Sequence, residues 1–262
     1  MKKRLYILAL LLLLPIALAA GNEAYDPLGV WKVLGIGTAI VALFCIIATC
    51  FAEHMSEGRK KALFIILVIG VVAATGYFVV STVMLNYASS TSGPIHWHAD
   101  FQIYNCGERV DIIDPNGLSN KVGSPVFHEH DDDRIHVEGP VLLLEDVSLA
   151  EFFAVLGGAL TENKMTVPTN EGVLNVQNGG SCNGEPATLQ VFLLRVNNPK
   201  DHNAWTYTQN KLSDFTNYVL SPYSAVPPGD CFIVEYGPER AATDHLCETY
   251  DVAMKRGDLR GD

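Results

Sequence analysis

Five of the eight histidines in this chain lie within 41 residues, in two groups that alternate with other side chains. The first group is in "HWHADF", which begins at His96, and the second is in "FHEHDDDRIHVEG", which begins at Phe127. Residues two apart on a β-strand share a face, so His-x-His presents two imidazoles side by side on a rigid backbone. Neutral imidazole is the most common transition-metal ligand in proteins. We therefore predict a metal site whose ligands are His96, His98, His128, His130 and His136.

The ligand type narrows the choice of metal. Clustered imidazoles suit zinc, copper, nickel or iron, and the sequence has no methionine near the cluster to favour soft Cu(I). A divalent transition-metal ion is expected, with copper or zinc first and iron as a further candidate. Nearby acids can accept hydrogen bonds that fix imidazole tautomers. The candidates for this role are Asp100, Glu129, Asp131 and Glu138.

The turn "DDD", residues 131–133, decides whether His136 lies on the same face as His128 and His130. A three-residue loop, 131–133, pairs His128 with His136 and puts both imidazoles on one face. A two-residue turn at 132–133 pairs His130 with Ile135 and sends His136 to the other face. The metal interpretation predicts the three-residue loop or a bulge.

Other interpretations of the histidines remain open at this point. They could be exposed side chains on an acidic surface, or a pH sensor, because clustered histidines titrate near neutrality. His202 and His245 are far from the cluster in sequence, beside Asp201 and Asp244, and are interpreted as surface residues.

The first 85 residues indicate a membrane anchor. Residues 1–20 have a basic start, an apolar core and a small-residue end, which is typical of a signal peptide or an uncleaved signal anchor. Two uncharged apolar segments, 33–51 and 62–85, are each long enough to cross a bilayer. The intervening segment, 52–61, carries Arg59, Lys60 and Lys61, and is expected to be a cytoplasmic loop. The polar linker 86–93 and everything after it is then extracytoplasmic.

Cysteine usage agrees with export. Two cysteines lie in the first apolar segment, and an even number, four, lies in the exported part. In an oxidising compartment these four favour two disulfides, with three pairings open, and no CxxC spacing supports a cysteine metal site. The four are Cys106, Cys182, Cys231 and Cys247.

The exported segment, 94–262, is long enough for one domain with its own core. It has 11 Lys and Arg against 25 Asp and Glu, a formal charge of −14, so nucleic acid is not an expected partner. Strand-like segments surround one good helix, "SLAEFFAVLGG", which is capped by Ser148. We predict an α+β domain with a mixed or antiparallel sheet and one main helix.

The order "HWHADFQIYNCGE", "HEHDDDRIHVEG" and "SLAEFFAVLGG" resembles a group of poorly characterised exported or membrane-anchored archaeal and bacterial proteins. The resemblance covers about Pro94–Gly158 and, more faintly, "PPGDCFIVEYG". This chain departs from the pattern at Cys106, where an Asn-Gly turn is usual, and at Glu129 between the second pair of histidines. The resemblance implies the histidine site rather than a reaction.

Three functions follow from these features. The first is metal capture, delivery or electron transfer by a membrane-anchored domain. The second is a metalloenzyme with an open coordination position, in which Glu129 or Glu138 is the candidate general base. The third is a structural or assembly subunit, in which the spans pack against a membrane-protein partner or a second copy.

Overall fold

The chain divides into two units, Met1–Ala88 and Ser89–Asp262. The computed structural model describes residues 30–51, 54–116, 120–200, 205–220 and 228–261. The expected signal segment, 1–20, lies outside the described residues.

The first unit contains two apolar helices, α1 (Val30–Phe51) and α2 (Glu57–Ala88). Both are long and apolar enough to cross a membrane, and their most apolar stretches bury no residue within the protein. The core helix of a soluble protein would instead bury an apolar face. Among the described residues there are therefore two helices that could span a membrane, in the two segments where the sequence predicts spans.

Helix α2 is longer than the predicted span at both ends. It begins at Glu57, so part of the expected loop 52–61, with its three basic residues, belongs to the first turns of the helix. It ends at Ala88, inside the expected linker 86–93.

The rest of that linker is bound to the second unit. The Ser90 N–H donates to the carbonyl oxygen of Val141 at 2.9 Å, and the Ser90 hydroxyl donates to the carbonyl oxygen of Leu142 at 2.7 Å. These bonds make residues 89–93 part of the folded domain rather than a free spacer.

The second unit is an α+β domain, as predicted, built on a nine-stranded sheet. Its strands are β1 (Pro94–Asn105), β2 (Glu108–Val110), β3 (Val122–Gly123), β4 (Phe127–Glu129), β5 (Arg134–Pro140), β11 (Thr188–Val196), β12 (Trp205–Leu212), β13 (Cys231–Gly237) and β14 (Leu259–Gly261). The order is β14-β12-β11-β13-β1-β5-β4-β3, with β2 paired to β1. The pairs β1–β13 and β12–β14 are parallel, so the sheet is mixed.

Five further strands of the described residues lie outside this sheet. They form a three-stranded sheet and a two-stranded ladder. Their bounds are β6 (Ala159–Thr161), β7 (Lys164–Thr169), β8 (Gly172–Gln177), β9 (Ser181–Cys182) and β10 (Glu185–Pro186).

The described part of the domain has two α-helices, where the sequence predicts one main helix. Helix α3 (Leu149–Val155) is the predicted one, and its Ser148 cap accepts a hydrogen bond from the Glu151 N–H at 3.3 Å. Helix α4 (Glu248–Arg256) was missed. Its signals were present, because acids occupy its first turn, bases its last turn, and Gly257 follows in the left-handed conformation at φ 80°.

Alternation along the strands separates the core from the histidines. The odd-numbered residues of β1, β4 and β5 pack in the main core, where Phe101 and Phe127 contact Phe152 of α3 at ring distances of 5.0 and 5.6 Å. The even-numbered residues point to the opposite face, and these include His96, His98, His128 and His136, while His130 follows the end of β4. The hydrophobic pattern thus fixes the face on which the histidines lie.

Helix α4 packs on that same opposite face. Its Tyr250 belongs to a second core with Phe192, Leu194 and Ile233 from β11 and β13. Thr249 of α4 donates a hydrogen bond to Asp100, which lies two residues after His98 on β1. The histidine cluster is therefore beside α4, over the β1, β5 and β4 part of the sheet.

The four cysteines of the domain form two disulfides. Cys106 in the β1–β2 turn joins Cys182 of β9, and Cys231 at the start of β13 joins Cys247, the residue before α4. The expected use of these cysteines is confirmed, and the structure selects one of the three pairings.

Candidate metal site

Strand pairing brings three histidines from neighbouring strands into one row. His98 on β1 lies directly opposite His136 on β5, and His136 lies directly opposite His128 on β4. The ring centroid of His136 is 4.7 Å from that of His98 and 5.6 Å from that of His128. His136 is therefore at the centre of the row.

The two remaining histidines lie on either side of this row. The ring of His96 is 4.5 Å from that of His98, and the ring of His130 is 4.8 Å from that of His136. Two groups result, and within each the potential ligand atoms lie within 4.8 Å of one another. The groups are His96, His98 and His136, and His128, His130 and His136.

These distances are close to what a metal ion requires. Metal–nitrogen bonds of about 2.0–2.1 Å in tetrahedral geometry place two ligand nitrogens about 3.3 Å apart. The potential ligand atoms are therefore up to about 1.5 Å farther apart than in a formed tetrahedral site, a difference that the imidazoles would have to close by rotating about their side-chain bonds.

The turn between β4 and β5 has the register of the three-residue loop. Asp131 and Asp133 both adopt left-handed conformations, with φ of 66° and 54°. The Asp132 N–H donates to Glu129 Oε1 at 2.7 Å, and the Arg134 N–H donates to Asp132 Oδ1 at 3.2 Å. These contacts stabilise a turn that aligns His128 with His136, as the metal interpretation requires.

Three of the histidines have one ring nitrogen beside an oxygen acceptor. His136 Nε2 is 3.1 Å from Asp132 Oδ2, and His96 Nε2 is 3.0 Å from Glu138 Oε1. His130 Nδ1 contacts the carbonyl oxygen of Asn120. Metal-binding histidines typically use one nitrogen for such an acceptor and the other for the ion.

The central row has buried nitrogens with no hydrogen-bond partner among the described residues. They are the Nδ1 atoms of His98, His128 and His136. An unsatisfied buried polar atom costs about 1–3 kcal/mol, and most such atoms in folded proteins are paired. Each of the two groups contains two of these histidines, so an ion bound in either group would supply the missing partners of two such nitrogens.

The environment keeps two of these imidazoles neutral. Burial, followed by the neighbouring His136, His96 and Arg134, lowers the pKa of His98 to about 4. Burial, followed by Lys121 and His130, lowers the pKa of His128 to about 4. Both groups are uncharged at neutral pH, so their lone pairs are free for a metal without prior loss of a proton.

The acids expected near the histidines have different roles in the structure. Glu138 contacts His96, as expected for an acceptor. Asp100 instead accepts a hydrogen bond from Arg134 Nε at 2.8 Å. Glu129 is buried, binds the turn backbone through Oε1, and has its pKa raised by that burial to about 6. Asp131 contributes the first left-handed residue of the turn.

Asp132 was not among the acids expected to orient a histidine. Burial alone would raise its pKa, but the hydrogen bond and charge of His136 lower it. The sequence signal for the contact between Asp132 and His136 was their spacing, because Asp132 precedes His136 by four residues across a tight turn. The register of that turn could not be deduced from the sequence alone.

The sequence predicts that His202 and His245, outside the cluster, are surface residues. His245 is half-buried and stacks on the ring of Tyr104 at 3.6 Å, so it is less exposed than expected for a surface residue. His202 lies outside the described residues.

No family model matches the sequence, and no curated protein or solved structure matches it. The resemblance carried by the histidine pattern therefore stays a prediction.

Proposed function

We propose that the chain is a membrane-anchored protein that captures and delivers a divalent transition-metal ion, copper or zinc, outside the cytoplasm. The observation that supports this most strongly is the convergence of five imidazoles from three strands around His136. The buried, unpaired Nδ1 atoms of the central row supply the reason for an ion to bind there.

The donor set favours a borderline divalent ion. All four cysteines of the domain are in disulfides, so they offer no thiolate. Imidazole nitrogen, with a carboxylate as an outer partner, is the donor set that remains at the cluster. Such nitrogens suit Zn(II) and Cu(II) better than Cu(I), which prefers sulfur.

The location rests on three features. The helices α1 and α2 are suited to anchoring the chain in a bilayer. Disulfides persist mainly in oxidising compartments, which favours an extracytoplasmic domain over residues 86–262. The strongly acidic domain would raise the local concentration of cations near its surface.

Capture and delivery are favoured over catalysis because one oxygen of each candidate base already has a partner. Glu138 is paired with His96, and Glu129 is bound to the turn backbone. The His96 side chain is 61% exposed, so an ion can enter or leave the cluster from solvent.

The test is the metal content of the full chain, purified in detergent with an affinity tag that contains no histidine. We expect about one ion of copper or zinc per chain, and loss of that ion in His136→Gln. His245→Gln is the matched control, since His245 lies outside the cluster, and it should retain the ion. A wild-type chain that takes up no zinc, copper, nickel or iron from micromolar solutions would contradict the proposal.

A further inference from the structure

We infer that the five histidines form two alternative sites for a single ion, and that the ion moves between them while bound to His136. We name His96, His98 and His136 the outer triad, and His128, His130 and His136 the inner triad. This inference rests on the proposed function and specifies how the ion enters the site.

Exclusive occupancy follows from the contacts of His136. An imidazole has two nitrogens, and each can bind at most one metal ion. Nε2 of His136 is beside Asp132 Oδ2 at 3.1 Å, which leaves Nδ1 as the nitrogen with no hydrogen-bond partner in the part of the chain that the structure describes. One free nitrogen cannot complete both triads at the same time, so the two triads compete for one ion.

The two triads differ in their exposure to solvent. The outer triad includes the His96 side chain, which is 61% exposed. The inner triad includes His128, of which only 1% is exposed. Solvent and any metal donor reach the outer triad first, while the inner triad holds the ion in a more enclosed position.

The spacing allows transfer in single exchanges. His136 lies within 4.7 Å of His98 and 4.8 Å of His130, measured between ring centroids. An ion held by His136 can therefore lose one imidazole of the outer triad as it gains one of the inner triad. Each exchange breaks one metal–nitrogen bond and forms another, without electron transfer and without release of the ion to solvent.

The direction from outer to inner follows from the exposure of the histidines themselves. A carboxylate lies at each end of the cluster, with Glu138 beside Nε2 of His96 and Asp132 beside Nε2 of His136. These two carboxylate side chains are about equally exposed, at 44% and 45%, so they do not distinguish the two triads. The exposed His96 admits the ion from solvent, and the buried His128 retains it.

The experiment uses Cu(II) as the probe, with the full chain in detergent and metal removed beforehand. Binding stoichiometry, electron paramagnetic resonance spectra and stopped-flow uptake are measured for four proteins beside the wild type. The outer-pair variant is His96→Gln/His98→Gln, and the inner-pair variant is His128→Gln/His130→Gln. His136→Gln removes the shared ligand, and His245→Gln is the control.

We expect the wild type to bind about one Cu(II) per chain. The outer-pair variant should keep the wild-type spectrum but take up copper more slowly, because the exposed His96 and its neighbour His98 no longer offer the ion a first binding position. The inner-pair variant should bind copper with a different spectrum and lose it faster to a chelator. His136→Gln should lose both signals.

Two results would overturn the inference while leaving the proposed function intact. Two Cu(II) ions per wild-type chain would indicate independent sites. Loss of all binding in the outer-pair variant, with its fold preserved by circular dichroism, would indicate one site that needs both groups. A wild-type chain that binds no Cu(II), zinc or other divalent transition metal would contradict the proposed function itself.

Discussion

The imidazole of His136 has a buried nitrogen without a hydrogen-bond partner among the described residues, and the proposed function explains this feature. Its Nδ1, with those of His98 and His128, is buried among protein atoms that offer it no hydrogen bond. Removing such an atom from water costs free energy unless another partner replaces the solvent. A bound ion supplies that partner, so the proposed function accounts for a feature that otherwise only destabilises the fold.

Asp132 should tune the affinity without forming the site. In Asp132→Asn the charge beside His136 Nε2 is lost, so the imidazole becomes a weaker donor to the ion and less well oriented. We expect the dissociation constant for Zn(II) to rise by about 10–100-fold, with the stoichiometry unchanged. Competition against a chromophoric chelator measures this. Asp131→Asn removes a charge from the same turn, and an equal effect in that control would contradict a specific role for Asp132.

The metal-free protein should lose stability on acidification. The folded pKa of His128 is about 4, below the ordinary value of 6.5, so between these values the unfolded chain binds a proton that the folded chain does not. The free energy of unfolding then falls as the pH decreases, by at most about 1.4 kcal/mol per pH unit for this group. His98 contributes in the same direction.

Urea unfolding in the presence of a chelator, at intervals from pH 7 to pH 4.5, tests this sign. Glu129 opposes the trend, because its raised pKa makes the folded state bind the proton more tightly between about 4.5 and 6. The difference between wild type and His128→Gln isolates the histidine contribution. A difference that does not change with pH would show that His128 is not held neutral by burial.

At the scale of the element, the β4–β5 hairpin determines whether a site exists. In Asp132→Asn/Asp133→Gly, the Asn-Gly pair favours a two-residue turn at 132–133, and the resulting one-residue shift of β4 against β5 moves His128 and His130 to the other face. We expect the variant to lose the inner triad and to bind Cu(II) with the spectrum and release rate of the inner-pair variant. Electron paramagnetic resonance and chelator release measure this.

Asp131→Gly is the matched control for that turn variant. It keeps the three-residue loop, and glycine accepts the φ of 66° found at this position at no steric cost. Binding should therefore be unchanged. Equal loss of binding in both variants would mean that the side chains of the turn, rather than its register, are what matter.

The same hairpin shows which features of the site the sequence predicted and which it left undecided. The His-x-His spacing predicted which side chains share a face on each strand, because alternation is a local property. The loop length remained undecided, because "DDD" is compatible with both turns. The choice depends on Glu129 binding the Asp132 N–H and on two aspartates adopting positive φ, and these contacts form only in the folded hairpin.

At the scale of the whole molecule, the sequence predicted a mixed or antiparallel sheet but not the order of its strands. Strand β13 pairs in parallel with β1 although more than 120 residues separate them, and it pairs antiparallel with β11 on its other edge. Periodicity within a segment carries no information on such distant partners. The sequence left the pairing of Cys106 with Cys182 undecided for the same reason, since this pairing depends on where β9 lies.

The topology of the full chain is testable with reporter fusions. Alkaline phosphatase folds only in an oxidising compartment, so it should be active when fused after Asp262 and inactive when fused after Lys61. A fluorescent protein that matures in the cytoplasm should show the reverse. An active phosphatase at Lys61 and an inactive one at Asp262 would place the histidine domain in the cytoplasm and contradict the proposed location.

X-ray absorption by the metal-loaded full chain tests the central proposal most directly, because it identifies the ion and its ligands together. We expect a copper or zinc edge, a first shell of nitrogen at about 2.0–2.1 Å, and the outer-shell scattering of several imidazoles. The signal should fall to background in His136→Gln. A sulfur shell at about 2.3 Å, an all-oxygen shell, or an equal signal from His136→Gln would contradict an ion held by the histidine cluster.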